Sequence, residues 1–166
     1  MKKVNIVLYQ PEIPQNTGNI SRTCAVTGAA LHIIRPTGFE ISDRTLKRAG
    51  LDYWDKLDVT YYDSFSEFLD KNQGGEMYYF SQKGSRCYAD ISYPDGVYLI
   101  FGKESVGLPD EFLSENADST VRIPMLSDRR CLNLSNSVAV AVYEVLRQGG
   151  FSDMKTHGML SKGDQT

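Results

Sequence analysis

Apolar residues along the chain fall into short runs separated by polar loops rich in Gly, Asn and Pro. Val4-Asn5-Ile6-Val7-Leu8-Tyr9 is short and β-rich and predicts a buried strand. The stretch PEIPQNTGNISRTCAVTG is shaped by Pro11, Pro14 and Gly18. It predicts a helix that starts between Asn16 and Asn19 and ends at Gly28, with Ile20, Cys24 and Thr27 inward at helical spacing. Leu31 to Ile34, closed by Arg35-Pro36, completes a βαβ unit whose right-handed crossover makes the two strands parallel neighbours. Further strands are predicted at Leu57 to Tyr62, Met77 to Ser81, Val97 to Phe101 and Val121 to Pro124. Ser42-Asp43 caps a short helix, a second runs near Ser64 to Lys71 with Phe65, Phe68 and Leu69 inward, and Pro109 opens a third through Glu115.

The stretch Ile123 to Glu144, IPMLSDRRCLNLSNSVAVAVYE, organises the rest. A strand end broken by Pro124 leads into a polar loop and then into a long apolar run. Val138, Val140 and Val142 alternate with Ala139 and Ala141, as in a strand. Length favours a helix, because Leu134, Val138, Ala141, Val142, Val145 and Leu146 form one helical stripe and Gly149-Gly150 stops it. Asn133, Ser135 or Asn136 can each cap this helix by accepting its free amide hydrogens. A polar loop therefore meets a helix N-terminus, a geometry that suits a polar or anionic ligand.

Composition adds bounds rather than chemistry. With 166 residues, 41% hydrophobic and 23% charged, the chain fits one α/β domain with an ordinary core. That domain is expected over residues 4–150, followed by a polar, loosely ordered tail over 151–166. A net charge of -3 supplies no global attraction to nucleic acid or membrane, so any such binding rests on local patches. The opening apolar stretch is too short for a signal peptide, and no run reaches membrane-spanning length. Cys24, Cys87 and Cys131 are widely spaced and His32 and His157 form no cluster. A metal site or disulfide framework is not expected, and a reducing cytoplasm is the natural setting.

Three loops stand at the carboxyl ends of predicted strands: Gln82 to Arg86, Gly102 to Pro109, and Leu126 to Asn136. In open parallel sheets ligands bind there. Gly102-Lys103-Glu104-Ser105 is no phosphate loop, because Val97 stands where that motif needs Gly. No G-x-G-x-x-G follows the first strand, and no Ser or Cys has a His in context to serve it. Three motifs remain: Asn16-x-Gly18-Asn19-x-x-Arg22-Thr23, Gly102-x-Glu104-x-x-Gly107-Leu108-Pro109, and Ile123-Pro124-Met125 followed by Leu132-Asn133-Leu134-Ser135-Asn136. In this order and at these strand ends they resemble the SPOUT class of RNA ribose methyltransferases. The nearest likeness is to the compact TrmL (YibK-type) tRNA 2'-O-methyltransferase family, with Leu8 to Pro14 and Arg48 to Tyr53 also similar. The resemblance covers Val4 to Phe151.

The resemblance implies an α/β knot, in which the third motif threads a loop, and a homodimer with the active site at the subunit interface. It implies S-adenosylmethionine as methyl donor, held mainly through the backbone at Phe80, Gly102, Ile123 and Cys131, with Cys131 standing where Ser is familiar. No metal is implied. Arg22 matches the residue placed beside the ribose hydroxyl; guanidinium stays protonated, so phosphate grip and alkoxide stabilisation suit it better than proton abstraction. A helix-surface ion pair with Glu12 or Glu104 is the plain structural alternative. Glu104 orients the loop or Arg22. Asn16, Ser135 and Asn136 either contact substrate or cap helices, and Tyr143 faces either the partner subunit or the site. The implied substrate is the wobble nucleotide of a tRNA anticodon stem-loop, as cytidine or modified uridine. Lys83, Arg86, Arg129, Arg130 and the Arg44, Lys47, Arg48 face are the available phosphate contacts, although for the last a solvated helix face is the commoner meaning of such a pattern. A ribosomal-RNA ribose methyltransferase of the same class, a non-catalytic knotted RNA-binding protein and a small-ligand binder are the competing readings.

Overall fold

The computed structural model describes residues 1–40, 57–127 and 131–158. Its strands are β1 (Val4–Tyr9), β2 (Ala30–Ile34), β3 (Val59–Tyr62), β4 (Met77–Phe80), β5 (Arg86–Cys87), β6 (Val97–Phe101) and β7 (Thr120–Arg122). Its helices are α1 (Pro14–Thr27), α2 (Phe65–Lys71), α3 (Asp110–Glu115) and α4 (Leu134–Gln148). The strands form one sheet in the order β3-β2-β1-β6-β4-β7-β5, and every pairing is parallel. The expected parallel pairing of the first two strands is present, with Ile6 opposite Leu31 and Leu8 opposite Ile33.

A parallel sheet is covered on both faces, so its central strands are apolar throughout and alternate residues serve different cores. On one face Ile6, Leu8, Leu31, Ile33, Leu99 and Phe101 pack with Ile20 and Cys24 of α1 and with Val138, Val142 and Val145 of α4. On the other, Val7, Ile34 and Ile100 pack with Tyr62, Phe68, Tyr79, Leu108 and Leu113. The α4 stripe read from the sequence is the buried one, with Leu134 only partly covered.

Several boundaries differ. α1 begins at Pro14 rather than beyond Asn16, because Pro at the first helical position gives up a hydrogen bond that position never makes. β5 begins at Arg86, the last residue of the segment read as a loop, and Arg86 and Cys87 pair with Val121 and Arg122. Two residues are too few to leave a periodic signal. In α2, Phe68 is buried but Leu69 is 37% exposed, since so short a helix presents only one turn to the sheet. The helix expected at Ser42, with Arg44, Lys47 and Arg48, lies outside the described residues. Past Gly149, Phe151 and Met154 pack against the first core, and the Met1 ammonium pairs with Asp153 at 2.6 Å.

Under α2 the second core contains polar atoms. His32 Nδ1 meets the Tyr62 hydroxyl at 2.9 Å and Nε2 meets Asn5 Oδ1 at 3.3 Å. Asn72 donates to the Tyr62 hydroxyl and accepts from Tyr98. Burial lowers the His32 pKa, opposed by the charge of Asp58. The unfolded chain therefore binds a proton at higher pH than the fold does. The stability contributed by neutral His32 is complete above its ordinary value of 6.5 and is lost as pH falls from there through the lowered value. The stability of the native protein in urea titration should fall between about pH 7.5 and pH 5.5 more than that of His32→Gln. Equal losses in the two proteins would show that His32 does not set this dependence.

Candidate active site

β6, β4 and β7 are adjacent in the sheet, so the loops leaving their carboxyl ends stand side by side. The β6 loop is the tightest. Lys103 N donates to Gly107 O at 3.1 Å and Gly107 N returns a bond to Lys103 O at 2.9 Å. Gly107 turns the chain with φ of 75°, a left-handed conformation costly for other residues. A Cβ on Gly102 would lie 2.1 Å from the carbonyl carbon of Gly107, so any side chain there would push the loop open. The β4 loop is laid against β7: Ser81 N donates to Val121 O at 3.0 Å, and a Cβ on Gly84 would meet Val121 at 2.5 Å. Phe80, at the end of β4, stacks on Phe101 with centroids 4.7 Å apart. Ile123 is half-buried against the first core, while Cys131 is exposed and accepts a hydrogen bond from the Gln82 amide. Val106, Leu126 and Leu132, on the β6 and β7 loops, are exposed apolar side chains.

A polar network ties these loops to α1. The Glu104 carboxylate accepts from Glu12 N at 2.8 Å, from Ile13 N at 3.2 Å and from the Asn16 amide at 3.0 Å. Asn16 is 5% exposed, and its Oδ1 accepts from the Asn133 amide at 3.0 Å. Asn133 Oδ1 in turn accepts from Ser135 N, Ser135 Oγ and Asn136 N, which makes Asn133 the cap of α4. Of the three candidate caps, Ser135 is a buried donor to that cap and Asn136 is exposed beyond it. Glu104 orients the loop before α1 and the Asn16 side chain. It satisfies amides around an N-terminus whose own cap residue, Ile13, has no acceptor.

Glu12 crosses this contact in the opposite direction: its carboxylate accepts from Ser105 N at 2.9 Å. Hydrogen bonds from the Ser105 hydroxyl and amide, helped by the Lys103 charge and opposed by desolvation, hold the Glu12 carboxyl below the usual carboxylate range. Sequence reasoning gave Glu12 only a surface ion pair with Arg22 and missed its bond to the β6 loop. The available signal was a carboxylate two residues before a Pro-initiated helix.

The remaining candidates are more dispersed. Arg22 is exposed on the outer side of α1, and Tyr143 is 44% exposed on the outer side of α4. Lys83 forms an exposed ion pair with Asp110, beside a cavity of about 350 Å³ lined by Tyr9, Lys103, Gly107 and Pro109. Arg86 donates to the Asp118 carbonyl at 2.9 Å. Arg129 and Arg130 lie outside the described residues. Among the described residues no group of three metal-ligating side chains comes together, and no helix is long and apolar enough to cross a membrane.

The pattern of the SpoU rRNA methylase family matches residues 3–143. A Listeria innocua protein, provisionally named a tRNA (cytidine(34)-2'-O)-methyltransferase, is 57% identical over 150 residues, 89% of each chain. The tRNA (cytidine(34)-2'-O)-methyltransferase of Escherichia coli K12 is 48% identical over 149 residues, 89% of this chain and 95% of that one. The fold superposes with a TM-score of 0.85 on a structure concerned with 2-OH methylation of C/U34 on tRNA, 46% identical and covering 90% of this chain and 98% of that one. It also superposes, with a TM-score of 0.77 and 26% identity, on an AdoMet-bound rRNA methyltransferase from Sinorhizobium meliloti, covering 89% of this chain and 57% of that one.

Asn133→Ala removes the α4 cap and the bond to Asn16 together. It should lower the unfolding free energy by about 1–2 kcal/mol in urea titration. Asn136→Ala should cost less than about 0.5 kcal/mol. Equal costs would place the cap elsewhere.

Proposed function

Because the chain belongs to the SpoU rRNA methylase family, we propose that it transfers a methyl group from S-adenosylmethionine to the ribose 2'-oxygen of the wobble nucleotide in a tRNA anticodon. The observation that carries this reading is the convergence of the β4, β6 and β7 loops on one edge of the sheet, bound to the start of α1 by Glu104 and Asn16. The tRNA names of relatives at 48% and 57% identity favour tRNA over ribosomal RNA as substrate. Retention of Arg22, Glu104 and the Gly102 loop favours catalysis over RNA binding alone.

The donor site fits the chemistry of its ligand. Backbone groups at Phe80, Gly102, Ile123 and Cys131 contact it, and Val106, Leu126 and Leu132 supply apolar surface for adenine and thioether carbon. Cys131 serves through its backbone, so the exchange of a hydroxyl for a thiol is tolerated. S-adenosylmethionine supplies an already electrophilic methyl group, so the protein has only to align the 2'-oxygen and ease loss of its proton. Arg22 grips the adjacent phosphate and stabilises negative charge developing on that oxygen; it remains protonated and is not the base. Asn16, Glu104 and Ser135 hold the surrounding loops, and Asn136 is left for substrate.

We further propose a homodimer in which a second copy covers the outer sides of α1 and α4. Those sides expose Val26 at 63%, Val140 at 37% and Tyr143 at 44%, together with Arg22. Arg22 then approaches a site completed across the interface. Threading of the Ile123 to Gln148 segment into a knot belongs to the same proposal. Lys83, Arg86, Arg129, Arg130 and the Arg44, Lys47, Arg48 segment contact anticodon-stem phosphates, with Lys83 exchanging Asp110 for phosphate.

Labelled methyl transfer to tRNA lacking the native modification tests the reading. The product should be an alkali-resistant dinucleotide from the anticodon, and Arg22→Ala should lower kcat by about 100-fold or more. Label in ribosomal RNA and none in tRNA would reverse the substrate assignment. Lys83→Ala or Arg130→Ala should weaken tRNA binding and reduce its salt slope by about 1 per removed contact. Donor affinity should stay unchanged; loss of both ligands together would refute this division of labour.

A further inference from the structure

Glu12 stands outside the three motifs, yet it is one half of a reciprocal contact. The segment before α1 gives two backbone amides, Glu12 N and Ile13 N, to the Glu104 carboxylate of the β6 loop. The β6 loop gives the Ser105 amide to the Glu12 carboxylate at 2.9 Å. Each segment thus places a carboxylate on the other's backbone, and neither slides past the other without breaking bonds at both ends. Charge-assisted bonds to backbone amides are short and directional, so the pair acts as a clasp rather than as a diffuse attraction.

The clasp is backed from behind. Gly38 N donates to Pro11 O at 2.9 Å, and Gly38 lies so close that a Cβ there would be 2.8 Å from Glu12 Cα. The Glu12 backbone has no room to retreat toward that side. Ahead of it, Ser105 sits within the turn closed by the Lys103–Gly107 amide exchange, in the loop that begins at Gly102. Two carboxylates share this small volume, and Lys103 supplies compensating positive charge at Glu12.

We propose that Glu12 is a positioning residue for methyl transfer: it fixes the β6 loop, which contacts the methyl donor, relative to α1, which carries Arg22. This rests on the methyltransferase reading above. Glu12 touches neither donor nor RNA in this proposal. It acts through Ser105 on one side and, through the backbone of the segment it belongs to, on the start of α1 on the other. Glu104 alone fixes the start of α1 from the loop, but leaves the Ser105 amide and the apex of the loop unheld. A shift of about 1 Å between the two groups is enough to cost around 100-fold in rate, whereas ligand affinity depends on each segment separately.

The test compares Glu12→Ala and Glu12→Gln with the native protein. Glu12→Ala should lower kcat by about tenfold to 100-fold, with KM for tRNA and for S-adenosylmethionine changed by less than about threefold. Glu12→Gln keeps an oxygen that accepts from Ser105 and should restore kcat to within about threefold of native. Amide hydrogen exchange without any ligand supplies a readout independent of activity: exchange at residues 103–107 should quicken by about tenfold or more in Glu12→Ala and stay near native in Glu12→Gln. Native kcat in Glu12→Ala, or Glu12→Gln as impaired as Glu12→Ala, overturns the proposal. So does a KM rise that accounts for the whole loss. Should Glu12→Ala fail to fold, Glu12→Asp shortens the side chain by one methylene and draws its carboxylate away from the Ser105 amide. It should show a smaller fall in kcat and faster loop exchange, and native behaviour in both would overturn the proposal equally. A native protein that methylates no RNA, while the exchange difference persists, would strike the enzymatic reading and leave the clasp standing.

Discussion

The Glu104 carboxylate is the contact on which the geometry of the site depends. It leaves the end of β6, the strand between β1 and β4, and reaches the start of α1, which follows β1. From there the connection continues through the buried Asn16 side chain to Asn133, and through Asn133 to the first turn of α4. One carboxylate and two amides thus set three chain segments that are far apart in sequence. Each member satisfies amide hydrogens that would otherwise be stranded at a helix start or in a tight turn, so the network is sustained by polar satisfaction as much as by attraction. The same property suits the catalytic surface proposed for it. Groups locked by several hydrogen bonds do not reorganise when charge develops beside them.

The sheet supplies the other constraint. An all-parallel sheet brings every carboxyl end to one edge, and the order β1-β6-β4-β7 makes neighbours of loops that the chain separates. The two apolar faces hold the strands in register, and the steric closeness at Gly102 and Gly84 seals two of the loops onto the sheet edge. Little of this depends on long-range charge. The ion pairs Lys83–Asp110, Arg35–Asp63 and Lys71–Glu67 are largely exposed and contribute little to stability. The proposed action on RNA therefore requires a chain with a net charge of -3 to concentrate its cations, and the Lys83 side of the β4 loop is one place where a cation stands beside a cleft.

Much of the fold was legible in the sequence, because parallel strands are short continuous apolar runs and helices carry a distinct stripe. Val97 to Phe101 and the Leu134 to Leu146 stripe were readable for that reason. β5 was not, since a two-residue strand is defined by its partner β7 and not by its own pattern. Leu69 was placed inward because periodicity assigns a face without saying how wide it is, and α2 is too short to bury more than its central aromatic residue. The loops of the site were found from their position after strands and from their Gly and Asn content. The partners inside them were not: local pattern left Asn133, Ser135 and Asn136 equivalent as caps, and only the approach of Asn16 across the fold separates them.

By itself, then, the sequence determined the α/β class, the strand–loop–helix segments that carry chemistry and, through its motifs, the family. These are local properties, encoded in spacing of a few residues and in the backbone demands of Gly, Pro and Asn. The tertiary structure alone decided which loops became neighbours, that Glu104 serves the start of α1, and that Glu12 answers it through Ser105. Those contacts join residues about ninety positions apart, a distance over which no periodicity carries information. Strand order brings them within hydrogen-bond reach, and strand order is set by which apolar faces pack together.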